Sequence, residues 1–159
     1  MTTELTREEA RELTREKVGD QVSRHVTGMS SCLVVADLDR AAHWYRRVFG
    51  FETVSSLDIP ERGERVAFLA AGPLRLELAQ RDGSAALHRA DPPEHGFVQG
   101  PSHLAFYVDD LDAALAELAG LGVPVAVGPV DIAPLALSVA FVRDIEGHLI
   151  EFVQTPGRS

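Results

Sequence analysis

The sequence predicts an α+β fold built from two tandem copies of one β-α-β-β-β module. Two observations predict it. The same order of strand-like and helix-like patterns occurs twice along the chain, and the two copies align at a nearly constant offset. One helix covers only one face of four strands, so we expect the two modules to form a curled mixed sheet, shaped like a cup, with the helices outside.

The internal repeat defines which residues of the two modules correspond. Asp37 corresponds to Asp110, and residues 66–68 correspond to residues 139–141, at an offset of 73. One residue is added in the following turn, so Glu77 corresponds to Glu151 at an offset of 74. The modules therefore share the alternation of side chains between the two faces of each strand.

Module one is predicted over residues 29–80. The stretch SSCLVVADL is typical of a strand. Apolar residues then recur at helical spacing from Leu38 until Gly50, with Asp37 or Asp39 as the cap. The stretches ETVSSLDI, RVAFLAAG and PLRLELAQ predict three further strands, because turn-forming residues separate them.

Module two is predicted over residues 102–155, after a long connection over residues 81–101. The connection carries Pro, Gly and charge without a sustained period, which indicates a loop that could act as a lid. The stretch SHLAFYVDDL predicts a strand, and a helical pattern then begins at Leu111 and ends before Gly122. Three further strands are predicted in PVAVGPV, SVAFVRD and HLIEFVQ, which gives one domain over residues 25–156.

Residues 1–24 are predicted to form a helical arm ahead of this domain. Thr6-Arg7-Glu8-Glu9 has the form of a capping box, which predicts a helix from about Arg7 to about Val22. Its apolar residues form a narrow stripe, which could pack on the domain or on a second subunit.

Composition limits the expected partners. A formal net charge of −9 over 159 residues opposes binding to nucleic acid and to anionic lipid. No apolar run approaches the roughly 20 residues of a membrane span. With the single cysteine Cys32 and no signal-peptide pattern, we expect a cytoplasmic protein that binds a small molecule. The high usage of Ala and Arg is typical of a bacterial source.

Strand alternation directs one imidazole and two carboxylates toward the inside of the cup. His103 lies opposite in phase to the apolar residues of its strand, and Glu77 and Glu151 lie between apolar neighbours. The repeat points both glutamates toward one centre, which is not expected of residues that merely face solvent. We therefore predict a divalent metal ion (Fe, Mn, Ni, Co or Zn) bound by Glu77, His103 and Glu151.

Other side chains are predicted to line the pocket around this site. The position equivalent to His103 is Ser30, and the small residue Cys32 shares its phase. His95, in the connection, could swing over the cup and replace the imidazole that is missing at Ser30. Two more residues on the cup face are Arg75 and Tyr107. The remaining histidines are expected at the surface: His25, His43, His88 and His148.

Three segments together resemble the vicinal oxygen chelate superfamily: DLDRAAHWYRRVFGF, PSHLAFYVDDLDAALAELAGLGV and FVRDIEGHLIEFV. This superfamily includes glyoxalase I, the bleomycin-resistance proteins, methylmalonyl-CoA epimerase and extradiol dioxygenases, and the resemblance covers about residues 29 to 155. It implies metal ligands at Ser30, Glu77, His103 and Glu151. Three of the four match, whereas Ser30 stands where the family normally has histidine.

Two classes of function are compatible with these features. The first is a glyoxalase-like metal-dependent enzyme with lyase, isomerase, epimerase or dioxygenase chemistry, in which Glu77 or Glu151 transfers a proton next to a stabilised enolate-like charge. The second is a metal-free binding protein of the bleomycin-resistance type, with Trp44, Phe97 and Tyr107 lining the cup. We prefer the enzyme, because carboxylates buried without a partner would cost stability.

Two further expectations concern partners. We expect a homodimer, which is the commonest symmetric assembly. A purely structural or regulatory role is supported only by the predicted N-terminal helix.

Overall fold

The computed structural model of the chain describes residues 25–156. The chain divides into two units, Met1–Ser30 and Ser31–Ser159. In the described part of the first unit, residues 26–30 have no regular secondary structure. The predicted helix over residues 7–22 lies outside the described residues.

The second unit contains the predicted module twice. The first copy consists of β1 (Ser31–Val35), α1 (Leu38–Phe49), β2 (Glu52–Ile59), β3 (Glu64–Ala71) and β4 (Leu74–Arg81). The second consists of β5 (Leu104–Val108), α2 (Leu111–Gly120), β6 (Val125–Ile132), β7 (Leu137–Arg143) and β8 (Leu149–Gln154). Neither α1 nor α2, nor any other described helix, is long and apolar enough to cross a membrane.

Each module forms its own four-stranded mixed sheet. The strand orders are β1-β4-β3-β2 and β5-β8-β7-β6. The pairs β1/β4 and β5/β8 are parallel, and the other pairs are antiparallel. The α+β fold of two tandem modules is thereby confirmed.

The difference from the predicted single curled sheet is that, over residues 25–156, no strand of one module pairs with a strand of the other. The free edge of β1 is instead met by the turn between β7 and β8. Glu146 Oε2 accepts a hydrogen bond from the backbone N–H of Ala36 at 3.0 Å, and the His148 ring bonds the backbone of Val34. An exposed strand edge is commonly covered by such a loop.

Both modules use the same contacts to begin their helices. Asp37 and Asp110 are the N-caps, and each accepts a hydrogen bond from the amide three residues further on, at 3.0 and 2.9 Å. Gln80 and Gln154, on the last strand of each module, accept a hydrogen bond from the first helical amide at 2.8 and 2.7 Å. These contacts join helix and sheet in equivalent ways.

One hydrophobic core contains the helix-facing sides of both sheets. Phe49, at the end of α1, stacks on Phe106 of β5 with ring centroids 4.7 Å apart, and its centroid lies 6.1 Å from that of Phe152 in β8. The helix of the first module therefore packs against the sheet of the second.

Trp44 belongs to this core, so its predicted place in the cup lining is wrong. It is 5% exposed and makes an edge contact with Tyr45 at 5.0 Å. The physical reason is helical spacing, since Trp44 follows the buried Ala41 by three residues and shares its face of α1.

The opposite face of each sheet, which we call the open face, carries exposed apolar side chains. On the first sheet, Val34, Leu57 and Phe68 are 54%, 55% and 42% exposed. On the second, Tyr107 and Val130 are 76% and 47% exposed. Strand alternation places the predicted site residues on these open faces.

Candidate functional site

The open face of the second sheet carries a close pair of polar side chains, His103 and Glu151. His103 directly precedes β5, and Glu151 is the third residue of β8. His103 Nε2 lies 3.1 Å from Glu151 Oε2, and the side chains are 25% and 18% exposed. The pair therefore presents a nitrogen and a carboxylate to one partly enclosed space.

The packing of β8 explains why Glu151 faces this space. Its neighbours Ile150 and Phe152 are 0% and 4% exposed in the core, so alternation turns the residue between them outward. Glu77 is fixed in the same way in β4, between Leu76 and Leu78, which are 3% and 0% exposed. The two glutamates thus have equivalent positions on the two open faces.

Glu77 meets a different partner, Cys32. The two residues are paired in the β1/β4 register. Burial raises the pKa of the Cys32 thiol, and the nearby charge of Glu77 and a hydrogen bond to it raise that pKa further. Cys32 therefore stays a thiol and donates to Glu77, which is unlike the lowered pKa of an activated cysteine nucleophile.

The structure brings two of the three predicted metal ligands together. Within residues 25–156, no three His, Cys, Asp or Glu side chains are grouped so that they could hold one metal ion. His103 and Glu151 are in contact, whereas Glu77 is hydrogen-bonded to the Cys32 thiol on the first sheet. Ser30 is the last residue of the first unit and directly precedes β1.

The donor types of the His103–Glu151 pair fit a divalent ion of the Fe, Mn, Ni, Co or Zn group. An imidazole nitrogen and a carboxylate oxygen are the ligands that these ions commonly take in enzymes. Such sites normally have at least three protein ligands. A third donor therefore has to come from outside the pair.

The connection between the modules reaches the same open face. Its short helix, Glu94–Phe97, carries His95, whose ring centroid lies 5.6 Å from that of His103 and 5.7 Å from that of Phe141. His95 Nδ1 is buried and has no hydrogen-bond partner in the described part of the chain.

Arg143 of β7 holds this connection in place. Its guanidinium contacts Asp91 Oδ1 at 2.6 Å and donates to the carbonyl of Arg89 at 2.9 Å. The predicted lid histidine thus lies beside His103 on a loop that is bonded to the second sheet.

Within the described residues, the other predicted pocket residues do not contact the His103–Glu151 pair through hydrogen bonds, and they are more exposed than it is. Arg75 is exposed and donates to the carbonyls of Gly72 and Leu74 at 2.7 and 2.8 Å, next to its own turn. Tyr107 is on the open face and Phe97 is on the connection, at 76% and 86% exposed. None of these side chains is hydrogen-bonded to His103 or Glu151 among the contacts of the described residues.

A buried polar network between the modules was missed in the sequence. Asp144, which is 6% exposed, receives a hydrogen bond from the Tyr45 hydroxyl at 2.8 Å, and His148 Nδ1 lies 2.9 Å from the same oxygen. His148, which was expected at the surface, is only partly exposed at 28% of its side chain, and its other contact is the backbone of Val34 in β1.

Electrostatics within this network favour a charged His148. Its hydrogen bond to Asp144 raises the pKa of His148, against the opposing effect of burial. Burial alone would raise the pKa of Asp144, but hydrogen bonds from His148 and Tyr45 outweigh it and lower that pKa. Burial and the Asp144 charge raise the pKa of Tyr45, which therefore stays a hydroxyl donor. The signal in the sequence that could have revealed this network is that Asp144 and His148 have no polar counterparts in module one.

A cavity of ≈470 Å³ adjoins His103 along β1. Besides residues 31–36, its walls include parts of the connection and the residues of the turn before β8, with Glu146 and His148 among them. It is therefore bounded by both modules.

Comparison with known proteins agrees with this architecture. Residues 23–152 match the family model of the Glyoxalase/Bleomycin resistance protein/Dioxygenase superfamily. The chain is 31% identical over 132 residues to lactoylglutathione lyase of Haemophilus influenzae, covering 79% of this chain and 90% of that protein. It is 28% identical over 146 residues to human mitochondrial methylmalonyl-CoA epimerase, covering 85% and 80%.

A solved structure gives the same result. The trypanothione-dependent glyoxalase I of Leishmania major superposes with a TM-score of 0.59 at 26% identity, covering 81% of this chain and 86% of that one. The chain belongs to the Glyoxalase/Bleomycin resistance protein/Dioxygenase superfamily.

Proposed function

We propose that this protein is a metal-dependent lyase or isomerase that transfers a proton at a carbon atom next to a carbonyl group. The observation that carries the proposal is the 3.1 Å contact between His103 and Glu151 on an open sheet face. The named activities of two similar proteins, a lyase and an epimerase, support the reaction class.

The two relatives' names share a chemical feature. Lactoylglutathione and methylmalonyl-CoA are both thioesters with a hydrogen on the carbon beside the carbonyl. Epimerisation at that carbon requires removal of this proton and its return to the other face. A small thioester or related oxygenated carbonyl compound is therefore the proposed substrate class.

Glu77 and Glu151 are the proposed proton-transfer residues. Both are carboxylates on an open face at positions that the repeat relates, so either could remove the substrate proton or return it. His103 orients Glu151 through their contact. A divalent ion held by His103, Glu151 and Glu77 would supply positive charge that stabilises the negative charge developing on the substrate oxygen.

A second copy of the chain is the proposed source of the third ligand. Glu77 of one copy would meet the His103–Glu151 pair of the other if the open faces of their first and second sheets faced each other. The exposed Val34, Leu57 and Phe68 support this arrangement, because contiguous exposed apolar side chains mark interaction surfaces. The proposed active unit is a homodimer.

Metal content tests the proposal directly. Untagged protein is analysed for metals beside a His103→Ala, Glu151→Ala double variant, with His43→Ala, an exposed residue of α1, as the control. We expect about one equivalent per chain in the wild type and the control and none in the double variant. No metal, and no uptake of added Fe, Mn, Ni, Co or Zn, would refute metal dependence.

Subunit mixing tests the shared site. Glu77→Ala chains and His103→Ala chains are prepared separately, mixed, and allowed to exchange. If each site takes ligands from two chains, roughly a quarter of the wild-type metal capacity should return, since half the dimers are mixed and each has one intact site. Sites formed within single chains would give no recovery.

A metal-free binding protein of the bleomycin-resistance type is the second candidate. The serine at position 30 and the ≈470 Å³ cavity favour it. Saturable binding of ligands to protein that takes up no metal would support it over the enzyme.

A further inference from the structure

Both ring nitrogens of His103 have a polar neighbour. Nε2 lies 3.1 Å from Glu151 Oε2, and Nδ1 lies 3.2 Å from the hydroxyl oxygen of Ser102. Two other rings lie against the imidazole. The centroid of Phe141 is 5.6 Å away at an interplanar angle of 89°, and the centroid of His95 is also 5.6 Å away. These contacts together restrict the orientation of the His103 ring.

The backbone of Ser102 is constrained on both sides. Pro101 precedes it, and the proline ring fixes φ at that position. Two residues further on, Leu104 begins β5 and is paired with Ile150 of β8, next to Glu151. The half-buried Ser102 lines the same cavity as His103. Its hydroxyl is therefore presented to the imidazole from a segment with little freedom to move.

A hydroxyl is suited to a ring nitrogen that gains a proton when a cation binds to the other one. It can both donate and accept a hydrogen bond. Without a cation, a neutral His103 can donate Nε2–H to Glu151 while the Ser102 O–H donates to Nδ1. With a cation at Nε2, the ring proton is on Nδ1, and the Ser102 oxygen accepts it. The contact between Ser102 and His103 is therefore compatible with both states.

The hydroxyl accompanies the imidazole in the second module only. At the offset of 73, Met29 corresponds to Ser102 and Ser30 corresponds to His103. The first module thus has neither the imidazole nor a hydroxyl at the position before it. This agrees with a role of Ser102 that depends on His103.

We propose that Ser102 is a positioning residue for the metal ligand His103, and that its hydroxyl directs Nε2 toward the cation. The inference deepens the proposed function and rests on its claim that His103 and Glu151 bind a divalent ion. Metal-binding histidines commonly have a hydrogen-bond partner at the second ring nitrogen, which orients the ring and strengthens binding. Ser102 does not bind the ion itself, so it sets the affinity without changing the ligands.

Cobalt binding to the full chain tests the role of the hydroxyl. The dissociation constant for Co²⁺ is measured by titration of the wild type, Ser102→Ala and Ser102→Thr, with Ser56→Ala, an exposed serine of β2, as the matched control. Ser102→Ala should bind about 10–100-fold more weakly, because Nδ1 loses its partner. Ser102→Thr keeps a hydroxyl and should bind within about threefold of the wild type, and the control should be unchanged. Equal affinities of Ser102→Ala and the wild type, or no rescue by threonine, would overturn the inference.

The visible absorption of the bound cobalt separates positioning from direct binding. The absorption bands of Co²⁺ depend on its ligands, so Ser102→Ala at saturating cobalt should have the spectrum of the wild type. A changed spectrum would mean that the Ser102 oxygen is itself a ligand, which contradicts a positioning role. The urea midpoint of metal-free Ser102→Ala should equal that of the wild type. A lower midpoint would assign the loss of affinity to the fold instead.

The same variants separate this inference from the proposed function. Unchanged cobalt affinity in Ser102→Ala, beside a wild type that binds cobalt, refutes the inference alone. Binding that depends on Ser102, without exchange of the proton next to the carbonyl in a panel of thioesters, supports the inference and refutes only the proposed chemistry. A wild type that takes up neither cobalt nor Fe, Mn, Ni or Zn refutes both.

Discussion

The two modules share their scaffold contacts and differ in the polar groups that the scaffold presents. Asp37 caps α1 and Gln80 accepts a hydrogen bond from its first amide, and Asp110 and Gln154 make the same contacts with α2. On the open faces, the equivalent glutamates have different partners, a thiol in one module and an imidazole in the other. Contacts that satisfy the backbone thus recur, whereas side chains facing the open space have diverged.

The turns show a second difference. Asp144 and His148 of the β7–β8 turn occupy the positions of Ala71 and Leu74 in the first module, and they bond to α1 and β1. In this network the second module therefore supplies the charged groups, and the first module supplies a hydroxyl and a backbone contact. Four predictions test these similarities and differences between the modules.

The largest effect is expected from Asp144→Ala. Its removal leaves the Tyr45 hydroxyl and the His148 ring without their acceptor in a buried place. The free energy of unfolding should fall by about 3–5 kcal/mol, measured by urea denaturation. The matched control is Asp109→Ala at an exposed position, with a change within about 0.5 kcal/mol. Similar losses in both variants would show that the network does not stabilise the junction.

The pH dependence of stability should come from the same turn. The pKa of His148 is raised above its ordinary value of 6.5, so its contribution is complete below pH 6.5 and is lost as pH rises through the folded-state pKa. The lowered pKa of Asp144 acts at the acid end, where its contribution is present above 3.8 and lost as pH falls.

The loss on the alkaline side cannot exceed about 1.4 kcal/mol per pH unit for one proton. Urea denaturation of the wild type and His148→Asn between about pH 6 and pH 9 measures it. The wild type should lose stability over this range and the variant should give a flatter curve. Parallel curves would assign the pH dependence to other groups.

The repeated glutamine contacts should be equivalent in energy. Gln80→Ala and Gln154→Ala each remove one hydrogen bond to a helix amide and should each lower the free energy of unfolding by about 1 kcal/mol. The double variant, compared with both single variants by denaturation, should show additive losses. A much larger loss in one variant would mean that the two hydrogen bonds have the same geometry but contribute differently to the free energy of unfolding.

The smallest effect concerns a turn residue with left-handed backbone conformation, which is glycine in the first module and alanine in the second. Gly63 has φ +56°, and its equivalent Ala136 has φ +52°. Ala136→Gly should therefore raise the free energy of unfolding by about 0.5–1 kcal/mol, by relief of strain. Gly63→Ala should lower it, since the new Cβ would lie 2.5 Å from Asp82 Oδ2. A thermal melt of both variants measures the two signs, and a shared sign would contradict the comparison.

The repeat made most of the fold predictable. The bounds of α1 and β2 agree with their patterns, and the offset of 73 changes to 74 where the sequence suggested, since Phe68 pairs with Glu77 as Phe141 pairs with Glu151. Alternation also placed each glutamate on the correct face of its strand. These properties depend on local spacing, which a sequence contains directly.

The arrangement of the modules was not predictable in the same way. Whether Glu77 meets His103 depends on how two sheets pack, and the same apolar faces allow several packings. The position of His148 depends on a contact with the other module. Trp44 is a large apolar side chain, which is equally suited to a core and to the lining of a cup. Such contacts between distant segments leave no periodic signal.

The turn before β8 is one residue longer than its counterpart, which has a consequence for how a duplicated chain can change length. Between the pairs Ala70↔Arg75 and Arg143↔Leu149 the chain has four and five residues. Because the extra residue lies outside the pleat, Glu151 kept its face. The same insertion within β8 would have turned that carboxylate into the core. Insertions and grafts in this scaffold are therefore best confined to its turns, where length can vary without inverting a strand.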